Sequence, residues 1–113
     1  MTSDALARAP KLLVVDDDPG ILALVGKLAG DMGFNVVRET NARAALSSLP
    51  VTRPDGAIVD VNLGGVNGFE LLREIKAADP QSQVILMTGA ATVDAAIEAI
   101  KAGALDYLTK PFD

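Results

Sequence analysis

The chain has 113 residues, half of them hydrophobic, with a formal net charge of −5 and neither cysteine nor histidine. That length fits one domain, and so apolar a composition supports a conventional core rather than a disordered chain. Disulfides, thiolate metal sites and histidine acid–base chemistry are excluded, and the acidic balance argues against this segment gripping a nucleic-acid backbone by itself.

Residues 1–10, MTSDALARAP, lack the long apolar stretch of a signal peptide and read as a short tail before a domain at 11–113. No apolar run approaches the ~18 residues that a bilayer span requires, so no membrane association is expected and the cytoplasm is the expected compartment. From Leu12 to Val15 the chain is continuously apolar, as a strand covered on both faces should be. Ile21, Leu24, Val25, Leu28 and Met32 then recur with helical period, and Gly33 ends that helix. A short strand follows at Asn35 to Val37, and a helix at Asn41 to Leu49 with asparagine at its start. Pro50 to Pro54 reads as a loop, with Asp55 a turn residue.

Ala57 to Val61 is the next buried strand, and the turn LGGVNG leads into a helix marked by Phe69, Leu72 and Ile75. Val84 to Met87 is a fourth strand, and Val93, Ala96, Ile97 and Ile100 make the apolar stripe of a fourth helix closed by Gly103. Leu105 to Leu108 is a fifth strand, ended by Lys110-Pro111. Strands alternating with helices predict an α/β fold around a parallel sheet. A doubly wound sheet would need one more helix after the fifth strand, so a fragment of a larger protein, or a chain borrowing a covering surface, is expected.

In open α/β sheets ligands bind beyond the carboxyl ends of the strands. Polar residues gather at those ends here: Asp16 and Asp17 after the first strand, Asp60 on the third, Thr88 on the fourth and Lys110 after the fifth. Each alone would pass for a turn residue or a solvated charge; four strands agreeing predict a pocket. Three carboxylates together need a cation, and oxygen-only ligation selects a hard ion such as Mg²⁺. A threonine and a lysine beside it suit a phosphoryl group. A carboxylate can itself attack phosphorus, and Asp60, central between the acid pair and the Thr-Lys pair, is the candidate nucleophile. Asp18 stands immediately before Pro19 and is predicted to cap the first helix rather than bind metal.

The segments LLVVDDDPGI, PDGAIVDVNLGGVNGFELL, VILMTGAAT and GALDYLTKPFD resemble the receiver domain of two-component response regulators over Lys11 to Asp113. The resemblance implies a five-stranded parallel sheet of order 2-1-3-4-5, here without its fifth helix. It implies phosphoryl transfer from a sensor histidine kinase or a phosphotransfer protein onto Asp60. Asp17 matches the direct Mg²⁺ ligand, Asp16 the acid that reaches the metal through water, and Asn62 the backbone-carbonyl ligand. Thr88 and Lys110 match the hydroxyl and amine that meet the phosphoryl group, and Tyr107 the aromatic switch residue. Lys110-Pro111 resembles a cis-peptide junction, and small Ala90 and Ala91 leave room near the phosphate. The resemblance further implies a signalling switch rather than an enzyme, acting in transcription regulation, with a homodimer through the fourth helix and fifth strand.

This chain departs from the family at Gly64-Gly65, where proline then glycine is usual, which would loosen the Asn62 carbonyl and weaken metal binding. Two rivals remain. A haloacid-dehalogenase-like phosphatase would use Asp16 as nucleophile and Asp18 as general acid, but leaves Asp60 without a role. A receiver that binds a partner without phosphorylation would not need every motif position to be chemically competent.

Overall fold

Leu12–Val15 and the apolar runs like it have too few polar side chains to face water, and they become the strands of one sheet. The computed structural model describes residues 9–64, 66–90 and 92–110. Five strands form the sheet: β1 (Lys11–Val15), β2 (Asn35–Glu39), β3 (Gly56–Asp60), β4 (Gln83–Thr88) and β5 (Asp106–Thr109). All neighbours are parallel, in the order β2-β1-β3-β4-β5. Four helices connect them: α1 (Pro19–Asp31), α2 (Ala42–Thr52), α3 (Gly68–Ala78) and α4 (Val93–Lys101). The expected fold and strand order are therefore present, and among the described residues no helix follows β5.

The alternation of strand side chains divides the core in two. Leu13 and Val15 of β1, with Ala57, Val59, Val84 and Leu86 of the adjoining strands, face the helices α2, α3 and α4. Leu12 and Val14 turn the other way, towards Leu22 and Ala29 of α1. Each fully buried leucine on these faces contributes about 1.5–3 kcal/mol over an exposed one.

Several expectations need correction. The helix predicted to stop at Leu49 continues to Thr52 through Pro50. Proline in a last turn removes only one internal hydrogen bond, and Arg53 N–H closes the end on the Leu49 carbonyl at 2.9 Å. The buried residues of α1 are Leu22, Gly26 and Ala29, and of the predicted stripe Val25 packs, partly buried, against the same core. Leu24, Leu28 and Met32 of that stripe are exposed, Met32 by 76%. On α4 the buried residue is Ala99, while Val93, Ile97 and Ile100 face out. Both buried faces include small residues, Gly26 and Ala29 beside Leu22 on α1 and Ala99 on α4. The exposed side of α1 joins Ile85, Met87, Leu105 and Leu108 to line an apolar groove of about 540 Å³.

The turn after β3 is more ordered than a loop. Asn62–Leu63 and Val66–Asn67 pair antiparallel as a two-residue ribbon, with Gly64 at φ +58° supplying a left-handed turn position. Asp55, expected as a turn residue, accepts the Lys11 N–H at 2.7 Å and so ties the start of β1 to the loop before β3.

Candidate functional site

Two strand ends and the residues just after two further strands meet at one edge of the sheet. β3 lies between β1 and β4, so Asp60, its last residue, is central. Asp16 follows β1, and its N–H donates to the Glu39 carbonyl at 3.2 Å, extending the β1–β2 ladder by one rung. Thr88 ends β4, and Lys110 follows β5 with its N–H donating to the Thr88 carbonyl at 2.7 Å. These backbone bonds fix where the side chains start, so the pocket inherits the rigidity of the sheet.

Asp16, Asp17 and Asp60 each place a carboxylate oxygen within 4.8 Å of the others. Their environments differ. Asp16 is fully buried and Asp60 is 5% exposed, while Asp17 stands in solvent at the rim. Asp16 Oδ1 accepts the Asp18 N–H at 2.9 Å, and Lys110 Nζ lies 2.7 Å from Asp16 Oδ2. That approach lacks hydrogen-bond alignment, so a fully buried oxygen has a charge partner but no donated hydrogen bond. Asp17 makes no side-chain hydrogen bond among the described residues.

Lys110 also reaches Asp60, with Nζ 3.2 Å from Oδ2, while Asp60 Oδ1 accepts the Asn62 N–H at 3.2 Å. Burial pushes the Asp60 carboxyl above its ordinary value, and the charge of Asp16 adds to that; the Asn62 N–H and Lys110 oppose it without prevailing. Burial disfavours the Lys110 ammonium, but its pairing with Asp16 and Asp60 outweighs that and holds its pKa above the usual lysine value. One ammonium thus bridges two buried carboxylates. A single positive charge cannot neutralise three acids, and an all-oxygen donor set with a spare buried oxygen fits a hard divalent cation.

Thr88 is 8% exposed, and its Oγ1 accepts the Ala90 N–H at 3.1 Å. Tyr107 is half-buried on β5, its ring 6.5 Å from that of Phe69 and tilted by 44°. Asn62 is exposed on the ribbon, paired with Asn67. Ala91 and Pro111 lie outside the described residues, as does the junction predicted to be cis.

Asp18 is the N-cap of α1, with Oδ1 accepting the Gly20 N–H at 2.8 Å and Pro19 opening the helix. Asp18→Ala is expected to cost about 1 kcal/mol of stability, the usual worth of such a cap, and to leave divalent-ion affinity unchanged. Thermal unfolding and Mn²⁺ titration of the variant check both halves. Two residues that sequence reasoning passed over also bear on the pocket. Asn67 caps α3 by accepting the Phe69 N–H at 2.8 Å, and Gly68 packs directly under Asp60. The N-x-F spacing could have signalled the cap; nothing in one sequence signals the close approach.

The family model of the response regulator receiver domain matches residues 12–113. The transcriptional regulatory protein ZraR of Escherichia coli K12 is 39% identical over 102 residues, which cover 90% of this chain and 23% of ZraR. The chain thus spans less than a quarter of the length of that relative. The BeF3-activated DrrB receiver domain superposes with a TM-score of 0.84 at 32% identity, over 93% of this chain and 87% of that one. A response regulator from Burkholderia pseudomallei, solved with a phosphorylated aspartic acid, a calcium ion and citrate, gives 0.85 at 27% identity, over 92% and 61%. With the sheet order, the acidic edge and these likenesses in agreement, the chain belongs to the response regulator receiver domains, the signalling switches of two-component systems.

Proposed function

We propose that Asp60 is the phosphoacceptor of this receiver, within a domain at 11–113 preceded by the tail 1–10. The single observation that carries the reading is the position of its carboxylate. Asp60 is buried on the central strand, with one oxygen on the Asn62 N–H and the other on Lys110. A carboxylate held at both oxygens presents a fixed lone pair to an incoming phosphorus. The donor is a phosphohistidine on a sensor histidine kinase or a phosphotransfer protein. An Asp60 oxygen forms the new P–O bond as the P–N bond breaks, and the histidine nitrogen leaves with the electron pair.

The residues fit Mg²⁺, with Asp17 at the accessible rim, Asp60, the Asn62 backbone carbonyl, and Asp16 acting from behind. The ion supplies neutralisation of charge on the phosphoryl oxygens. Lys110 already holds a charged donor beside Asp60, so a phosphoryl group there recruits it in place of Asp16. Thr88 Oγ1, engaged with Ala90 N–H as an acceptor, keeps its own proton to donate to the same group. Drawing Thr88 inward vacates space towards Tyr107, one strand over, and the change is read on α4 and β5, where exposed Val93, Ile97 and Ile100 offer an apolar face for a homodimer or an output.

The phosphatase alternative is disfavoured by Asp18, whose carboxylate is committed to the helix cap. Beryllofluoride, a phosphoryl mimic, tests the reading. It is expected to bind only with Mg²⁺ present, and Lys110→Met is expected to weaken it by at least about tenfold, the usual worth of a charge-assisted contact. Binding that ignores Mg²⁺ and Lys110 alike would contradict the reading.

A further inference from the structure

The backbone just beyond Asp60 is held from two sides. Val61 N–H donates to the Met87 carbonyl of β4 at 2.8 Å, and the Val61 carbonyl accepts the Gly68 N–H at 2.7 Å. Gly68 opens α3 and is buried. A Cβ on Gly68 would collide with the Asp60 carbonyl oxygen and stand 2.8 Å from Val61 Cα and 3.0 Å from the Asp60 carbonyl carbon. All three are backbone atoms of the segment that carries the acceptor, so no side chain can swing away to make room. The collision is relieved only by withdrawing α3 or by shifting Asp60-Val61-Asn62. Withdrawal breaks the Gly68–Val61 bond, and a shift breaks the Val61–Met87 bond.

The ribbon amplifies either movement. Asn62 pairs with Asn67, so its backbone is positioned from the same helix start. Leu63 is buried at 4% and anchors that ribbon on the core.

We propose that Gly68 is a positioning residue for the divalent-ion and acceptor site. The absence of its side chain lets α3 seat directly on the Asp60–Val61 peptide, which fixes where the Asp60 carboxylate and the Asn62 carbonyl sit. It acts through that backbone and touches neither ion nor phosphoryl group. The inference rests on the proposed roles of Asp60, Asp17 and Asn62.

Mn²⁺ titration of the 113-residue chain, read from the electron paramagnetic resonance of free Mn²⁺, tests it alongside thermal unfolding. Gly68→Ala is expected to weaken Mn²⁺ binding by about tenfold, the lower end of what groups supporting metal ligands are worth. Ile75→Val, a core deletion on the same helix, is expected to lower the unfolding temperature with wild-type Mn²⁺ affinity, which separates positioning from mere destabilisation. A folded Gly68→Ala protein with wild-type affinity overturns the proposal. Should Gly68→Ala not fold, Asn67→Ala decides, since it loosens the same helix start by one hydrogen bond. A measurable loss of Mn²⁺ affinity supports the proposal, and unchanged affinity overturns it. Wild-type protein that binds no Mn²⁺, or Asp17→Asn protein that binds it undiminished, overturns the metal reading as well, and is recognised without reference to Gly68.

Discussion

Asp60→Asn is expected to take up no phosphoryl group from acetyl phosphate or from a phosphorylated kinase, with labelling reduced to background. An amide lacks the anionic oxygen that attacks phosphorus, and no other carboxylate in the pocket is placed to replace it. Asp16 is fully buried with one oxygen on Asp18 N–H and the other beside Lys110. Asp17 is exposed at the rim, its carboxylate near Asp60 but held by no hydrogen-bond donor among the described residues. The same variant should fold at least as stably as the wild type. Burial holds the Asp60 carboxyl above its ordinary value of 3.8, so its ionised form detracts from the folded state at neutral pH. That penalty is absent below 3.8 and develops as pH rises through the raised folded value. A neutral amide escapes it. Thermal unfolding at neutral pH should therefore show no loss for Asp60→Asn, which distinguishes lost chemistry from lost structure.

Asp17→Asn should have the opposite specificity, sparing the nucleophile and removing the ion. Asp17 is exposed, and surface substitutions of that kind change stability by no more than about 0.5 kcal/mol. Its oxygens make no side-chain hydrogen bond among the described residues, so they are available for ligation. Mn²⁺ or Mg²⁺ affinity is expected to fall by more than about tenfold, since even groups behind metal ligands are worth 10–100-fold. Labelling of Asp60 should fall in parallel and recover partly at high Mg²⁺, because the acceptor itself is intact. Measuring affinity by titration and labelling across a range of Mg²⁺ concentrations checks both statements.

These contrasts show what a single sequence could and could not disclose. The ends of the strands were legible because each apolar run stops at a polar residue, and parallel sheets present those ends at one edge. Asp16, Asp60, Thr88 and Lys110 were found on that rule. By residue type alone Asp16 and Asp17 are equivalent neighbours in VVDDD, and only the family resemblance separates their metal roles; one is fully buried and the other solvated. Successive residues leaving a strand point to opposite sides, and only the fold says which side is covered.

Helix faces were harder to read. On α1, Leu24, Leu28 and Met32 carry more apolar surface than Gly26 and Ala29, so periodicity favoured the larger residues. The sheet instead takes Leu22 together with the small Gly26 and Ala29, which allow a near approach. The same reversal sets Ala99 inward and Val93 outward on α4. The ribbon at Asn62–Leu63 was too short to leave any period. Gly68 looks in the sequence like one more glycine of the LGGVNG turn, whereas its lack of a Cβ is required by two backbones in contact.

The most direct test of the central claim is to phosphorylate the protein with Mg²⁺ present, reduce it with borohydride and sequence the peptides by mass spectrometry. Borohydride converts an aspartyl phosphate to homoserine and leaves free carboxylates alone. Homoserine in place of Asp60, and its disappearance when Mg²⁺ is chelated, is the predicted result. Homoserine in place of Asp16 or Asp17, with Asp60 unchanged, would contradict it.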